Sequence, residues 1–455
     1  MFRMKYIKKL ILFLFLASFV ISGLFTAYIR RDLFHTDQSI FVDLAYGFSE
    51  SSFYSKLCPP VHIALGAKSE THPLAPYCFS FLVEDFKSLY PYGKLLNLLW
   101  GLLVLLLQYK VISKHCGEIA GLVGTFALAS NFFFRYNCIQ LTSEPLLLLF
   151  FLIWIDYSVR CIESDGKGFF NWSVAGAAAG LAYMAKPQAI ILPLVFVITF
   201  CVLRKRPPAK QFCSFYLCFF LACSPLMVAR SMQGRFPLYN ANFNTVFALT
   251  VDEYDDAHDI PHIEERGLYS NLSKALRLSH LTKYIFHIPV FFKIFVNRIF
   301  NRYLPGPIPG VFWLIAFAIL FKLFATDEKS SRALAPLLLT FFVIYAAALL
   351  PVTINNDSAR FYFPLQICLH FAIGRLVEKS FAKQATLVLL ICGLLFFSIV
   401  IFPSLLQGTY GNPLVAYDAS IESFAKWLSE QEREITVHYT YYEKWWLERR
   451  FELDH

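Results

Sequence analysis

Stretches of about twenty apolar residues recur along this chain, and that recurrence limits the fold more than any single motif. A helix of that length crosses a hydrocarbon core, and inside it every backbone polar group is satisfied within the segment. Hydrophobic residues make up 57% of the 455 and charged residues only 16%, against about 25% charged in an ordinary soluble domain. Phe alone occurs 49 times, while Gly and Pro contribute 20 and 22. Such a composition excludes a disordered chain, a disulfide-rich secreted module and a coiled coil. A channel, a transporter and a membrane-embedded enzyme remain.

Apolar runs lie near 10–29, 94–112, 118–134, 141–159, 171–185, 188–203, 211–229, 308–324, 333–352, 361–377 and 385–404. The fold class expected is therefore all-α and polytopic, with about eleven transmembrane helices over residues 1–404. The first run follows Arg3, Lys5, Lys8 and Lys9 and is longer than a signal-peptide core, so it is read as a span. With the N-terminus inside, Lys110, Lys114, Lys167, Arg204, Lys205, Arg206, Lys210, Lys329, Arg332, Lys379 and Lys383 all fall on the cytoplasmic side. The formal charge of +9 thus reads as topology under the positive-inside rule, and no nucleic-acid partner is expected. Loops 30–93 and 230–307 and the tail 405–455 are placed outside, where the chemistry is expected.

No internal repeat, Walker A loop, zinc-type CxxC pair or HExxH occurs, so nucleotide-driven transport and zinc proteolysis lack their residues. Gly117 with Gly121, and Gly176 with Gly180, have the spacing that lets helices approach closely. Most of the eleven cysteines sit in apolar runs as small core residues. Cys58 and Cys78 share an outer loop, where a disulfide is one of two open readings.

Ionisable groups at membrane depth are costly and mark candidate sites. Asp37, just past the first span, reads as a general base for an incoming acceptor or as a helix N-cap; Asp43 reads as the solvated side of the same segment. His72, followed by Pro73, reads as a hydrogen-bond donor to a phosphate oxygen or a gate that titrates, or as a structural imidazole. Arg135 and Glu144 flank the start of the fourth run as a site or as an ion pair. Lys186 before Pro187, and Arg360 with Tyr362 before Pro364, are cations at the outer face, against the positive-inside trend. They read as ligands for one lipid phosphate or as headgroup anchors. Residues 275–303 read as an interfacial helix lining the way in or as a surface anchor. The acidic run 252–259 reads as a solvated loop rather than a cation site.

In order along the chain, Asp37-Gln38, His72-Pro73-Leu74, Lys94-Leu95-Leu96-Asn97, Thr142-Ser143-Glu144-Pro145, Ala185-Lys186-Pro187 and Arg360-Phe361-Tyr362-Phe363-Pro364 resemble the motifs of the GT-C superfamily of polytopic glycosyltransferases. The likeness is to its branch of protein O-mannosyltransferases and lipid A aminoarabinose transferases, and it covers about residues 1–380. It implies a GT-C-like helix bundle whose exoplasmic loops carry short interfacial helices. It further implies a polyprenyl-phosphate-sugar donor, a glycan, lipid or protein acceptor, and membrane lipid as surroundings. In that reading Asp37 is the catalytic base, and His72, Arg135, Glu144, Lys186, Arg360 and Tyr362 bind substrate and lipid phosphate. Gln38 stands where the family commonly has a second acid, so the resemblance implies a single-base mechanism with no divalent metal and no cofactor beyond the donor; single displacement implies inversion. A bacterial inner-membrane protein with its site facing the periplasm is expected. A flippase, polymerase or transporter of lipid-linked glycans is the alternative, but transporters place their sites near the midplane, and the candidates here gather at one face.

Overall fold

The structure, a computed structural model, describes residues 2–29, 72–82, 86–164, 168–232, 287–295, 333–355 and 359–381, with isolated positions between. All described elements are helical, and no strand occurs among the described residues. The helices are α1 (Phe2–Ile29), α2 (Leu74–Ser80), α3 (Phe86–Cys116), α4 (Glu118–Ser130), α5 (Phe132–Cys138), α6 (Glu144–Glu163), α7 (Phe169–Ala185), α8 (Leu192–Val202), α9 (Ala209–Met232), α10 (Leu334–Asn355) and α11 (Phe363–Phe381). Among the described residues, Tyr92–Cys116, Glu144–Glu163 and Ala209–Val228 are long and apolar enough to cross a membrane. Runs 308–324 and 385–404, the acidic stretch 252–259 and the C-terminal tail lie wholly or mostly outside the described residues. So do Asp37, Gln38, Asp43 and Cys58, and the question of a Cys58–Cys78 bond with them.

Several expected spans begin or break where the chain carries a reason to do so. The run 118–134 divides at Asn131, whose extended backbone ends α4 and whose side chain caps α5, accepting from the Phe134 N–H at 3.0 Å. The run near 188 opens as a 3-10 turn, Pro187–Ile191, because Pro187 fixes φ and gives no N–H to an α-helical ladder. The run near 361 opens the same way, as Ala359–Tyr362, ahead of α11.

Helix α7 forms the centre, packed most extensively against α9 and α6. Gly176 and Gly180 make this possible. A Cβ at Gly176 would collide with the carbonyl oxygen of Phe215, and one at Gly180 would stand 2.6 Å from that of Phe219. Both obstacles are backbone, so the two helices touch through their main chains. The core beside them is aromatic: Phe196 stacks on Phe215 with centroids 4.5 Å apart, and buried Trp172 packs against both Phe196 and Phe200. Such pairs add to the burial of their area.

A second layer pairs α4 with α3 and α11. Gly117 has φ 120, a left-handed value that glycine adopts without strain, and a Cβ there would stand 2.5 Å from the carboxyl carbon of Glu378. That carboxylate accepts from the N–H groups of Ile119 (2.8 Å) and Ala120 (3.1 Å), at the positive end of α4.

Candidate functional site

The site is built where helices start and stop. Glu144 is the first residue of α6, with Pro145 in the first turn, a position that needs no N–H. The turn before it is fixed from α3. Buried Asn97 donates to the carbonyl of Asn137 (2.8 Å), to that of Gln140 and to Thr142 Oγ1 (3.3 Å), and Thr142 Oγ1 donates back to the Asn137 carbonyl (3.0 Å). Lys94, one turn earlier on α3, is buried on the same side.

Lys186 follows the last residue of α7. Pro187 disfavours a helical residue ahead of it, and Lys186 is extended at φ −153, ψ 140. Its ammonium donates to Glu144 Oε1. Arg360, in the 3-10 turn before α11, places Nε 3.6 Å from the same oxygen. The carboxylate side chain is only 2% exposed, against 12% for Lys186 and 26% for Arg360. Both cations lie near the Phe361 ring, at 5.4 and 5.5 Å. One buried carboxylate between two cations leaves these three side chains a formal +1.

A second set adjoins Lys186 on α7. His72 is 2% exposed; its Nδ1 bonds the carbonyl of Tyr183, and its ring meets the Tyr183 ring edge-on at 4.9 Å. Arg230, buried near the end of α9, donates from Nη1 to the Tyr183 hydroxyl at 2.8 Å, and its Nη2 lies 3.5 Å from His72 Nε2. The Tyr183 hydroxyl in turn donates to the carbonyl of Leu238 at 3.3 Å. Burial, and next the charge of Arg230, push the His72 imidazole well below the ordinary histidine value, with Lys186 adding in the same direction.

The structure therefore brings Glu144, Lys186 and Arg360 into direct contact and sets His72 beside them. Arg135 lies half-buried on α5, whereas the described partners of Glu144 are Lys186 and Arg360. The Tyr362 ring is fully buried against Phe291 and Phe295, at 5.7 and 5.6 Å. These phenylalanines belong to the described helical residues 287–295, where Lys293 is exposed opposite them. Among the described residues no group of three or more His, Cys, Asp or Glu could hold a metal ion. Sequence reasoning passed over Arg230 and gave Tyr183 no role. The signal for Arg230 was present: it is one more cation at the end of a run expected to face outward.

Residues 72–228 match the family model described as dolichyl-phosphate-mannose-protein mannosyltransferase. Among curated proteins none matches the chain. Among solved structures the chain is similar to ArnT from Cupriavidus metallidurans bound to undecaprenyl phosphate, at 15% identity over 82% of this chain and 78% of that one, with a TM-score of 0.41. It is also similar to the oligosaccharyltransferase of Archaeoglobus fulgidus, at 12% identity over 95% of this chain and 61% of that one, with a TM-score of 0.48. The chain thus spans about three fifths of the archaeal protein's length, and both likenesses are distant. The family match takes in His72, Arg135, Glu144, Lys186 and nearly all of the helices that position them, over 157 of the 455 residues.

Proposed function

We propose that this chain moves a sugar from a polyprenyl-phosphate-linked donor to an acceptor hydroxyl at the exoplasmic face of a membrane, with inversion. The observation that carries the reading is the pairing of Lys186 and Arg360 on one buried carboxylate, Glu144, at the end of the bundle where helices break. A carboxylate that holds two cations in fixed positions makes them a preorganised anion site, and charge developing on a leaving phosphate is stabilised without reorganisation. The match of residues 72–228 to a dolichyl-phosphate-mannose family supports the same donor class.

In this reading Asp37 takes the proton of the acceptor hydroxyl. The oxygen attacks the anomeric carbon as the bond to the donor phosphate breaks, and that phosphate leaves with the electron pair. Single displacement inverts the anomeric centre. Lys186 and Arg360 meet the leaving oxygen while Glu144 orients both cations, and Arg135, His72 and Tyr362 are assigned to binding the donor. No cofactor beyond the donor is needed, and no divalent metal is assigned. The acceptor is a hydroxyl of a glycan, a lipid or a protein, and the setting is a bacterial inner membrane with the site facing the periplasm.

The test is transfer of radiolabelled sugar from a panel of polyprenyl-phosphate donors to membrane acceptors, for wild type and Asp37→Asn at equal expression. Product formation, with inverted configuration by NMR and a loss on the order of 10²–10⁴-fold in the variant, is the expected result. A wild-type protein that consumes no donor sinks the transferase reading in favour of a flippase or transporter. Full activity in Asp37→Asn removes Asp37 from the role of base.

A further inference from the structure

The carbonyl that His72 bonds has lost its ordinary partner for a reason written in the sequence. In an α-helix the C=O of residue 183 accepts from the N–H of residue 187. Residue 187 is proline and has none. The preceding carbonyl, that of Ala182, is satisfied by the Lys186 N–H at 2.9 Å. The Tyr183 carbonyl is left buried at the end of α7, and His72 Nδ1, from a segment 111 residues away, fills the place. A carbonyl oxygen only accepts, so Nδ1 carries the proton and Nε2 is the acceptor. A guanidinium only donates, and it is to this Nε2 that Arg230 presents Nη2.

We propose that His72 is a positioning residue, a neutral clasp that takes the hydrogen-bonding place vacated by Pro187 and so fixes the Lys186 and Arg230 ends of α7 and α9 together. It rests on the transferase reading for its effect on rate, but not for its geometry. Tyr183 is the pivot: its carbonyl holds His72, its hydroxyl holds Arg230 and Leu238, and it lies one turn before Lys186. The clasp joins the outer segment before α2, the end of α9 and the lysine that meets Glu144. The role differs from a phosphate ligand, because both ring nitrogens are already committed to protein groups. Among the described residues, the charged and titratable groups facing the ring are Arg230 from α9, Tyr183 from α7 and Lys186 just past the end of α7.

The test is a double-mutant cycle between His72→Ala and Pro187→Ala in the full-length protein. Alanine at 187 restores an N–H able to bond the Tyr183 carbonyl, so His72→Ala is expected to cost much less in that background than in the wild type. Thermal unfolding reads the cycle without any transfer assay. Nitrogen NMR of the labelled imidazole reads the tautomer, with Nδ1 protonated as the expected result. In the transfer assay kcat is expected to fall roughly tenfold in His72→Ala, with donor KM changed by less than about threefold. His72→Asn, which retains a donor near the position of Nδ1, is expected to recover part of the loss. Equal costs of His72→Ala in both backgrounds, or a protonated Nε2, overturn the clasp. A coupled cycle in a protein that transfers no sugar leaves the clasp standing and removes the transferase reading instead. A rise confined to donor KM, with kcat intact, makes His72 a phosphate ligand and overturns the proposal.

Discussion

Helix α6 carries two buried carboxylates, Glu144 in its first turn and Asp156 three turns later, and their surroundings differ in kind. Asp156 Oδ1 accepts from Lys114 (2.6 Å) and His115 (2.8 Å), both on α3, and Oδ2 accepts from Arg160, one turn along α6 itself. All three donors stand on regular helix. The partners of Glu144 stand on interruptions: Lys186 at the break before Pro187 and Arg360 in a 3-10 turn. At the Asp156 end Arg375 also donates to the Cys116 carbonyl (3.0 Å), and Lys8 meets Glu118 (2.8 Å). One end is a lock whose parts are held by helical hydrogen bonding. The other presents its charges at a helix end and in a 3-10 turn, where the backbone leaves the α-helical ladder.

Four variants sharpen or break that contrast. The largest effect is expected from Gly176→Leu, which places a branched side chain against the Phe215 carbonyl in the α7–α9 contact. It should abolish recovery of folded protein, measured by size-exclusion profile after extraction; a monodisperse peak at wild-type yield would contradict the close packing. Next is Glu144→Gln. It keeps the shape but loosens Lys186 and Arg360, so transfer should fall on the order of 10²-fold with a modest change in melting temperature. Asp156→Asn should invert that pattern. It destabilises by about 2 kcal/mol, less than a fully buried pair because Lys114 and Arg160 are more than a third exposed, and turnover per folded molecule stays within about twofold. If Asp156→Asn loses turnover as Glu144→Gln does, the two ends are not different in kind. The smallest effect concerns pH. The folded-state value of His72 lies well below the ordinary one, so the unfolded chain binds its proton first. Stability is therefore full above about pH 6.5 and falls as the pH drops below it. Melting curves from pH 7.5 to 5 should show the decline, and His72→Asn should flatten it.

The positions of the helices were legible because apolar runs of membrane length leave few alternatives: the runs from 94 to 229 fall on α3 to α9, although α3 begins eight residues early at Phe86 and the run 118–134 divides into α4 and α5. The gathering of Glu144, Lys186 and Arg360 was legible as a set of outward ionisable groups. Their pairing was not, because Arg135 is the nearer cation in sequence and only the return of α7 and α11 to the start of α6 selects the other two. Tyr183 was hidden for a different reason. Its importance comes from a main-chain carbonyl deprived of a donor by a proline four residues on, and that carbonyl carries no side-chain signature. Asn97 is similar: it reads as one polar residue in an apolar helix until the turn 137–142 is seen wrapped around its amide.

The carboxylate at the start of α4 sets an order of assembly during synthesis. Glu378 reaches the N–H groups of Ile119 and Ala120 across 259 and 258 residues, so the ribosome has made most of the chain before the α3–α4 hairpin receives its cap. The hairpin must wait in the bilayer with Gly117 holding a turn that nothing from α11 yet supports, and the arrival of α11 closes it. The last described helix thereby acts as a latch on one of the first, and a chain truncated before Glu378 would be left with its early hairpin in place but unsealed.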